Sequence, residues 1–208
     1  MRIQHKTLLA ITLAILAVFI GCMGKVRYPT YYELHLPAAP DPPPGPEAHG
    51  SVAVREFRSP GYLRQGPLVY RPSPEQIGFY DYHHWATDPR QFVTTAIVDR
   101  LRASGNFAAV TVYDGRSHVD YMLSGRLEKL EEVDYEGGVK VEVALSAQMT
   151  DLRTGTTVWA NSVSDVESVA QRNVPAVVSE MSHTMDRTIE KLLSSFPSPP
   201  GSQAVLEH

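Results

Sequence analysis

The sequence predicts an α+β domain in two layers, a mixed but mostly antiparallel sheet with two amphipathic helices on one face. Three patterns indicate this class. Residues 139–149 alternate between apolar and polar side chains, as a strand with one buried face does. Residues 156–163 follow a turn at 151–155 and predict the return strand of an antiparallel meander. The segments after Asp88 and after Asn173 change to helical spacing.

The first half of the domain is predicted to hold three short extended segments and one helix. The extended segments are 52–57, 68–71 and 77–83, and glycines and prolines separate the first two. Asp88 is suited to cap the helix that follows, and Pro89 to occupy its first turn. The apolar face of this helix carries Phe92, Val93, Ala96, Ile97 and Leu101.

The second half adds further strands and a longer helix. Residues 107–113 and 119–127 are extended segments that lead into the alternating strand. The last element begins near Asn173 with Pro175 in its first turn. Its apolar residues favour packing against the sheet, although its methionines could instead form a soft ligand surface. They are Val174, Val177, Val178, Met181, Met185, Ile189, Leu192 and Leu193.

The amino terminus has the pattern of a secretory signal. Two cations precede an apolar run at 8–21, which is shorter than the about 20 residues that a membrane-spanning helix needs. The run ends in a small residue before Cys22, the only cysteine, and resembles a lipobox in which Phe19 replaces the usual Leu. We predict a signal peptide at 1–21 and an acylated Cys22 that anchors the chain in a bilayer. The alternatives are a buried or free thiol and an intermolecular disulfide.

The rest of the chain divides into three parts. Residues 22–50 are predicted to be the acylated amino terminus and a Pro-rich stalk, because proline favours extended backbone; a Pro-rich ligand for a partner is the alternative. Residues 51–196 are predicted to form the folded periplasmic domain. Residues 197–208 are predicted to be a disordered tail, and Leu206-Glu207-His208 resembles a tag remnant. Met23, in place of the Asp that retains lipoproteins at the inner membrane, favours the outer membrane.

Composition and motifs argue against several functions. The formal net charge of -4 opposes nucleic-acid binding, which calls for a basic face. The common signatures of serine hydrolases, nucleotide-binding loops and zinc proteases do not occur. His83 and His84 would point to opposite faces of a strand, and Asp81 with His83 supplies only two ligands. We therefore predict no catalytic residue, no metal and no cofactor.

A group of acidic residues lies near a predicted hairpin turn. The group contains Glu131, Glu132 and Asp134. Because turns are normally exposed to water, we expect these side chains to be ordinary solvated charges.

Aromatic residues concentrate before the first helix. Tyrosine and tryptophan, which combine an apolar body with a polar tip, are enriched at interfaces. Filling the core of a small domain explains each of them equally well. The predicted partner or subunit interface consists of Tyr62, Tyr70, Tyr80, Tyr82 and Trp85.

Six short motifs follow one another in a fixed order along the chain. They are Tyr31-Tyr32-x-Leu34, Val52-x-Val54-x-x-Phe57-x-x-Pro60-x-Tyr62-Leu63, Leu68-Val69-Tyr70-Arg71, Tyr80-x-x-x-x-Trp85-Ala86-x-x-Pro89, Leu101-x-x-Ser104-Gly105-x-Phe107-x-x-Val110 and Asp120-Tyr121-x-Leu123-x-Gly125-x-Leu127. Together they resemble the ABC-type transport auxiliary lipoproteins, the PqiC-like family, over most of the chain after Cys22. The Pro-rich stalk and the His83-His84 pair depart from the family pattern.

The resemblance implies a fold like the N-terminal domain of TolB and a non-enzymatic role in lipid transport between membranes. The implied partners are the inner leaflet of the outer membrane, an MCE-domain protein with its ABC permease complex, and a ring of identical subunits. Two alternatives remain. The domain could be a lipid-binding shuttle whose apolar faces enclose an acyl tail, or a TolB-like envelope assembly factor without a transport role.

Overall fold

The computed structural model describes residues 27–41, 50–135 and 137–196. The predicted signal peptide, Cys22, the prolines of the stalk from 42 onwards and the tail at 197–208 lie outside the described residues. The strands are β1 Thr30–Tyr32, β2 Ser51–Val54, β3 Pro67–Ser73, β4 Gln76–Trp85, β5 Ala109–Val112, β6 Tyr121–Val133, β7 Lys140–Asp151 and β8 Thr157–Ser168. The helices are α1 Pro89–Ala103 and α2 Val174–Ser194, with a short 3₁₀ turn at Gly61–Arg64.

The strands form one mixed sheet built around β6. One side of β6 pairs with β7 and then β8, and both pairings are antiparallel, which confirms the predicted meander. The other side pairs in parallel with β2 near its start and with β3 near its end. Beyond these, β5 pairs with β2, β4 with β3, and β1 with β4. The longest pairings are antiparallel, as the sequence predicts.

Both helices begin where their caps predict. The Asp88 carboxylate accepts a hydrogen bond from the backbone of Arg90 at 2.9 Å, and the Asn173 side chain accepts one from Ala176 at 2.9 Å. Such caps satisfy backbone donors that a helix cannot satisfy internally. Neither helix in the described part of the chain is long and apolar enough to span a bilayer.

The helices lie side by side against one face of the sheet, where their apolar residues form one core. α1 packs on β2, β5 and β6, and α2 packs on β7 and β8. An ion pair between Arg100 and Asp186 joins the two helices. The fully buried side chains of the core include Phe57, Leu68, Ile97, Leu123, Leu127, Leu145, Met181, Met185, Ile189 and Leu192.

One close approach in this core requires glycine. The ring of Phe57 lies directly on the backbone of Gly125 in β6, where a Cβ atom would stand 2.2 Å from the ring. A hydrogen bond from the Phe57 backbone to the Thr94 hydroxyl at 3.0 Å fixes the segment against α1. Gly125 therefore provides the space into which the aromatic ring packs.

The folded unit begins before residue 51, within the range 22–50 that the sequence assigns to the anchor and stalk. β1 pairs with β4, and the side chain of Leu34 is buried in the core. The backbone of His35 then donates to the Ser182 hydroxyl of α2 at 3.1 Å. We correct the boundary accordingly: the chain joins the domain at Thr30. A three-residue strand has too little periodicity to be recognised from sequence.

Candidate functional site

Two neighbouring glutamates near the end of β6 are buried. Glu131 is 0% exposed and Glu132 is 4% exposed. The expectation that they are solvated is wrong, because β6 continues to Val133 and both of its faces are covered at this end. Buried carboxylates need hydrogen-bond or charge partners, and the two residues find theirs on opposite faces of the sheet.

On one face, Glu131 forms an ion pair with Arg71 of β3. The Arg71 Nε lies 2.5 Å from a Glu131 carboxylate oxygen, and the Tyr62 hydroxyl donates to the other oxygen at 3.4 Å. The hydrogen bond to Glu131 raises the pKa of Arg71. Burial raises the pKa of the Tyr62 phenol, and the charge of Glu131 raises it further. These contacts compensate the desolvation of the carboxylate.

On the other face, Glu132 accepts a hydrogen bond of 2.8 Å from the Tyr80 hydroxyl. Burial raises the pKa of Glu132 to about 7, and the nearby charge of Asp134 contributes, although the Tyr80 bond opposes the shift. Burial also raises the pKa of Tyr80. A carboxyl group with such a pKa populates both its neutral and its charged form at neutral pH. Its partners belong to the packing of the sheet, so the arrangement is best explained as a structural network.

Aromatic rings extend this network across three strands. The Tyr70 ring lies 5.1 Å from that of Tyr80, the Tyr80 ring 5.6 Å from that of His83, and the His83 ring 5.5 Å from that of Tyr32. The Tyr32 hydroxyl is 3.0 Å from the Nδ1 of His83. Gly78 makes room for Tyr70, because a Cβ at Gly78 would stand 2.3 Å from the ring. These rings tie β1, β4 and β3 together.

The five residues of the predicted interface therefore do not form one surface. Tyr62 faces Glu131, whereas Tyr70 and Tyr80 lie on the face of Glu132, and all three are half-buried. Trp85 is only 7% exposed and belongs to the core, so it presents almost no surface to a partner. Its indole N–H has no acceptor among the described residues. Tyr82 is 43% exposed and is free to contact a partner.

The two adjacent histidines have separate surroundings. His83 contacts Tyr32 and Tyr80, while the Nε2 of His84 lies 3.2 Å from the backbone carbonyl of Asp81. Within residues 27–41, 50–135 and 137–196, no three histidine, cysteine or acidic side chains are placed so as to bind one metal ion. The predicted lipidation site, Cys22, lies outside these ranges.

A groove on the helix-free face of the sheet was not anticipated from the sequence. We name it the arginine groove, after Arg55, Arg58 and Arg126, and it has a volume of about 620 Å³. Arg126 pairs with Glu128 at 2.7 Å, and Arg55 lies over the Tyr113 ring. The other residues of its lining are small or polar, and they include Ser124, Ser146, Gln148, Ala160, Asn161 and Ser162.

The positive charges of the arginine groove are not all paired with acidic side chains. Arg58 has no ion-pair partner among the residues that the structure describes. Guanidinium groups bind carboxylate and phosphate groups through paired hydrogen bonds. The alternation of residues 139–149 indicates the polar face that lines this groove, but the pairing of Arg58 with Arg126 joins segments far apart in sequence and is not visible there.

The comparison with protein families gives a match over residues 32–192, to the family described as ABC-type transport auxiliary lipoprotein component. The chain belongs to this family. The match runs from the last residue of β1 to almost the end of α2 and confirms the resemblance seen in the sequence motifs. No curated protein matches this auxiliary lipoprotein.

Solved structures share the fold of this auxiliary lipoprotein. A Xanthomonas campestris protein of the DUF330 family is 18% identical with a TM-score of 0.68, covering 79% of this chain and 92% of that one. An uncharacterised protein is 14% identical with a TM-score of 0.64, covering 82% and 100%. A PelC dodecamer from Paraburkholderia phytofirmans is 18% identical over 78% and 91%, but its TM-score of 0.44 is too low to support an argument about assembly.

Proposed function

We propose that this auxiliary lipoprotein is a non-enzymatic outer-membrane subunit of an ABC/MCE-type lipid transport system. It docks onto, or completes, an assembly that spans the periplasm. The family match over residues 32–192 is the observation that carries this proposal. Acyl chains on Cys22 hold the protein in the inner leaflet of the outer membrane, and the domain faces the periplasm.

The packing of the helices favours docking over the shuttle alternative. A shuttle would use the apolar faces of helices and sheet to enclose an acyl tail. In this domain, the residues best suited to that purpose pack on one another, since Met181, Met185 and Ile189 are completely buried. The apolar surface is therefore already used to stabilise the fold.

The arginine groove is the surface that we assign to the transporter. Its occupant is an acidic segment of the partner, because cationic side chains concentrate here in a chain whose net charge is -4. The half-buried Tyr62, Tyr70 and Tyr80 remain a secondary contact in this proposal. Trp85 is removed from the predicted interface because it is buried.

Two claims are tested by one experiment: the transport role and the assignment of the arginine groove as the docking surface. The full-length lipoprotein is crosslinked in its own cells and affinity-purified. We expect an MCE-domain protein and an ABC permease to co-purify with the wild type. An R55Q/R58Q double variant should recover at least tenfold less of them, because two cations of the groove are lost. R153Q is the matched control, since Arg153 is an 83% exposed arginine in the β7–β8 turn.

Each outcome has a distinct meaning. A wild-type sample without transporter components contradicts the transport role and supports the alternative of envelope assembly. Equal recovery with wild type and the R55Q/R58Q variant rejects the arginine groove as the docking surface and leaves the transport role intact.

A further inference from the structure

Three tyrosines are exposed along one edge of the sheet. Tyr28, Tyr31 and Tyr82, which we name the tyrosine edge, are 80%, 63% and 43% exposed. Tyr31 packs beside the His84 ring of β4 at 5.8 Å, and the Arg27 guanidinium lies over the Tyr82 ring at 5.9 Å. These contacts place Tyr31 and Tyr82 along the border between β1 and β4, and Tyr28 comes two residues before β1; all three leave aromatic surface open to solvent.

This border lies close to the predicted lipid anchor. Five residue steps separate Cys22 from Arg27, so the connecting chain spans at most about 18 Å. Since Arg27 contacts Tyr82, the ring of Tyr82 is held near the point where the chain leaves the bilayer. Among the described residues, Tyr28 and Tyr31 are the exposed aromatic residues nearest to Cys22 along the chain.

From this placement we infer that the tyrosine edge rests in the headgroup region of the same bilayer that holds the acyl chains of Cys22. Tyrosine is enriched at membrane–water interfaces because its ring is apolar and its hydroxyl remains hydrated. The inference depends on the proposed acylation of Cys22, but not on the identity of the transporter.

The charge near the anchor agrees with a lipid surface. Lys25 and Arg27 are cationic, and the segment from Cys22 contains no acidic residue before Glu33. Cations close to a bilayer are attracted by anionic headgroups. Asp81 is the only acid on β4.

A second copy of the chain fits this edge less well than a bilayer. β1 has only three residues, so it offers little backbone for strand pairing between subunits. Large aromatic side chains beside a short edge strand fit the headgroup region of a bilayer, which is deformable and amphipathic. In the resulting orientation, β3 and β4 separate β1 from β6, so the arginine groove lies on the part of the sheet removed from the bilayer.

The test uses full-length acylated protein in vesicles of phosphatidylcholine and phosphatidylglycerol, with and without brominated acyl chains. Y31W and Y82W place a fluorescent reporter at the tyrosine edge. V166W is the control, because Val166 is 47% exposed on β8 at the opposite edge of the sheet. The signal of the wild type, which contains Trp85 and Trp159, is subtracted, and circular dichroism verifies that each variant is folded.

Brominated lipid should reduce the added fluorescence at positions 31 and 82 at least twofold and leave position 166 nearly unchanged. Equal quenching at all three positions overturns the inference. So does an unquenched signal at 31 and 82, including one that shifts with protein density, which would assign the edge to a second copy. Mass spectrometry of the same sample separates the causes: unquenched but acylated protein rejects only the tyrosine edge, whereas an unmodified Cys22 rejects the proposed anchor.

Discussion

Glu131 and Glu132 are neighbours on β6, yet their carboxyl groups are buried on opposite faces of the sheet. One pairs with Arg71, and the other accepts a hydrogen bond from Tyr80. Glu131 is compensated by a cation, whereas Glu132 has a neutral donor, Tyr80, and the charge of Asp134 nearby disfavours its ionised form. The two residues should therefore respond in opposite ways to removal of their charge.

Replacing Glu132 by Gln should stabilise the protein above neutral pH. The folded-state pKa of about 7 exceeds the ordinary value of about 4.3, so folding favours the protonated carboxyl. The contribution of Glu132 to the free energy of unfolding of the wild type is fully present below pH 4. It is lost as the pH rises towards 7. The free energy of unfolding of E132Q, relative to that of wild type, should therefore rise by on the order of 3 kcal/mol between pH 4 and pH 8. Urea unfolding at both pH values measures the difference, and a pH-independent difference would contradict the assignment.

Replacing Glu131 by Gln should destabilise the domain at neutral pH. The change leaves Arg71 beside a neutral group, and breaking a buried ion pair costs about 3 kcal/mol. E128Q is the matched control, because Glu128 belongs to a more exposed pair with Arg126 and should cost less than about 1 kcal/mol. Chemical unfolding of both variants at pH 7.5 gives the comparison. If E131Q and E128Q lowered the free energy of unfolding by similar amounts, the buried Glu131–Arg71 pair would contribute no more than the exposed Glu128–Arg126 pair.

An alanine at Gly125 should disturb the core through Phe57. Its added methyl group would overlap the ring, which must move or force β6 to shift, at a cost of about 1–3 kcal/mol. Gly138 provides the control, since a Cβ there meets nothing within 4 Å. Thermal unfolding should show a lower Tm for G125A and almost none of that effect for G138A. The combination G125A/F57A should lose less than the sum of the two single changes.

Truncation of Leu34 should show that the folded unit begins before residue 51. Leu34 is buried in the core, so L34A should lower the free energy of unfolding by about 2–4 kcal/mol. L152A, at an exposed leucine in the β7–β8 turn, should change it by less than about 0.5 kcal/mol. Equal stability of L34A and wild type would mean that the segment around β1 does not contribute to the domain.

Features that depend on nearby residues could be predicted from the sequence. The strand at 139–149 follows from its own alternation, and the helices begin at Asp88 and Asn173 because each cap acts on a backbone group two or three residues away. The order of motifs was sufficient to find the family. These signals require no knowledge of which strands pair.

Features that depend on residues far apart in the chain could not be predicted from the sequence. Glu131 is buried because Arg71 and Tyr62, 60 and 69 positions earlier, lie on the same face. The tyrosines look alike in the sequence, but Tyr80 points its hydroxyl at Glu132 while Tyr82 remains exposed. Strand pairing and register decide which of these side chains are buried and which are exposed, and the residue type alone does not show it.

The small size of β1 also has a mechanical consequence. β1 is the first strand after the amino-terminal segment and is held to β4 by only three paired residues, so a pull on the chain from that side loads these bonds before any others. Once they part, residues 30–33 can leave the sheet and lengthen the connection by up to about 14 Å, after which the buried Leu34 and the His35–Ser182 bond carry the load. The distance between bilayer and domain would then depend on the applied force, and single-molecule stretching would register this as a small extension step before the main unfolding event.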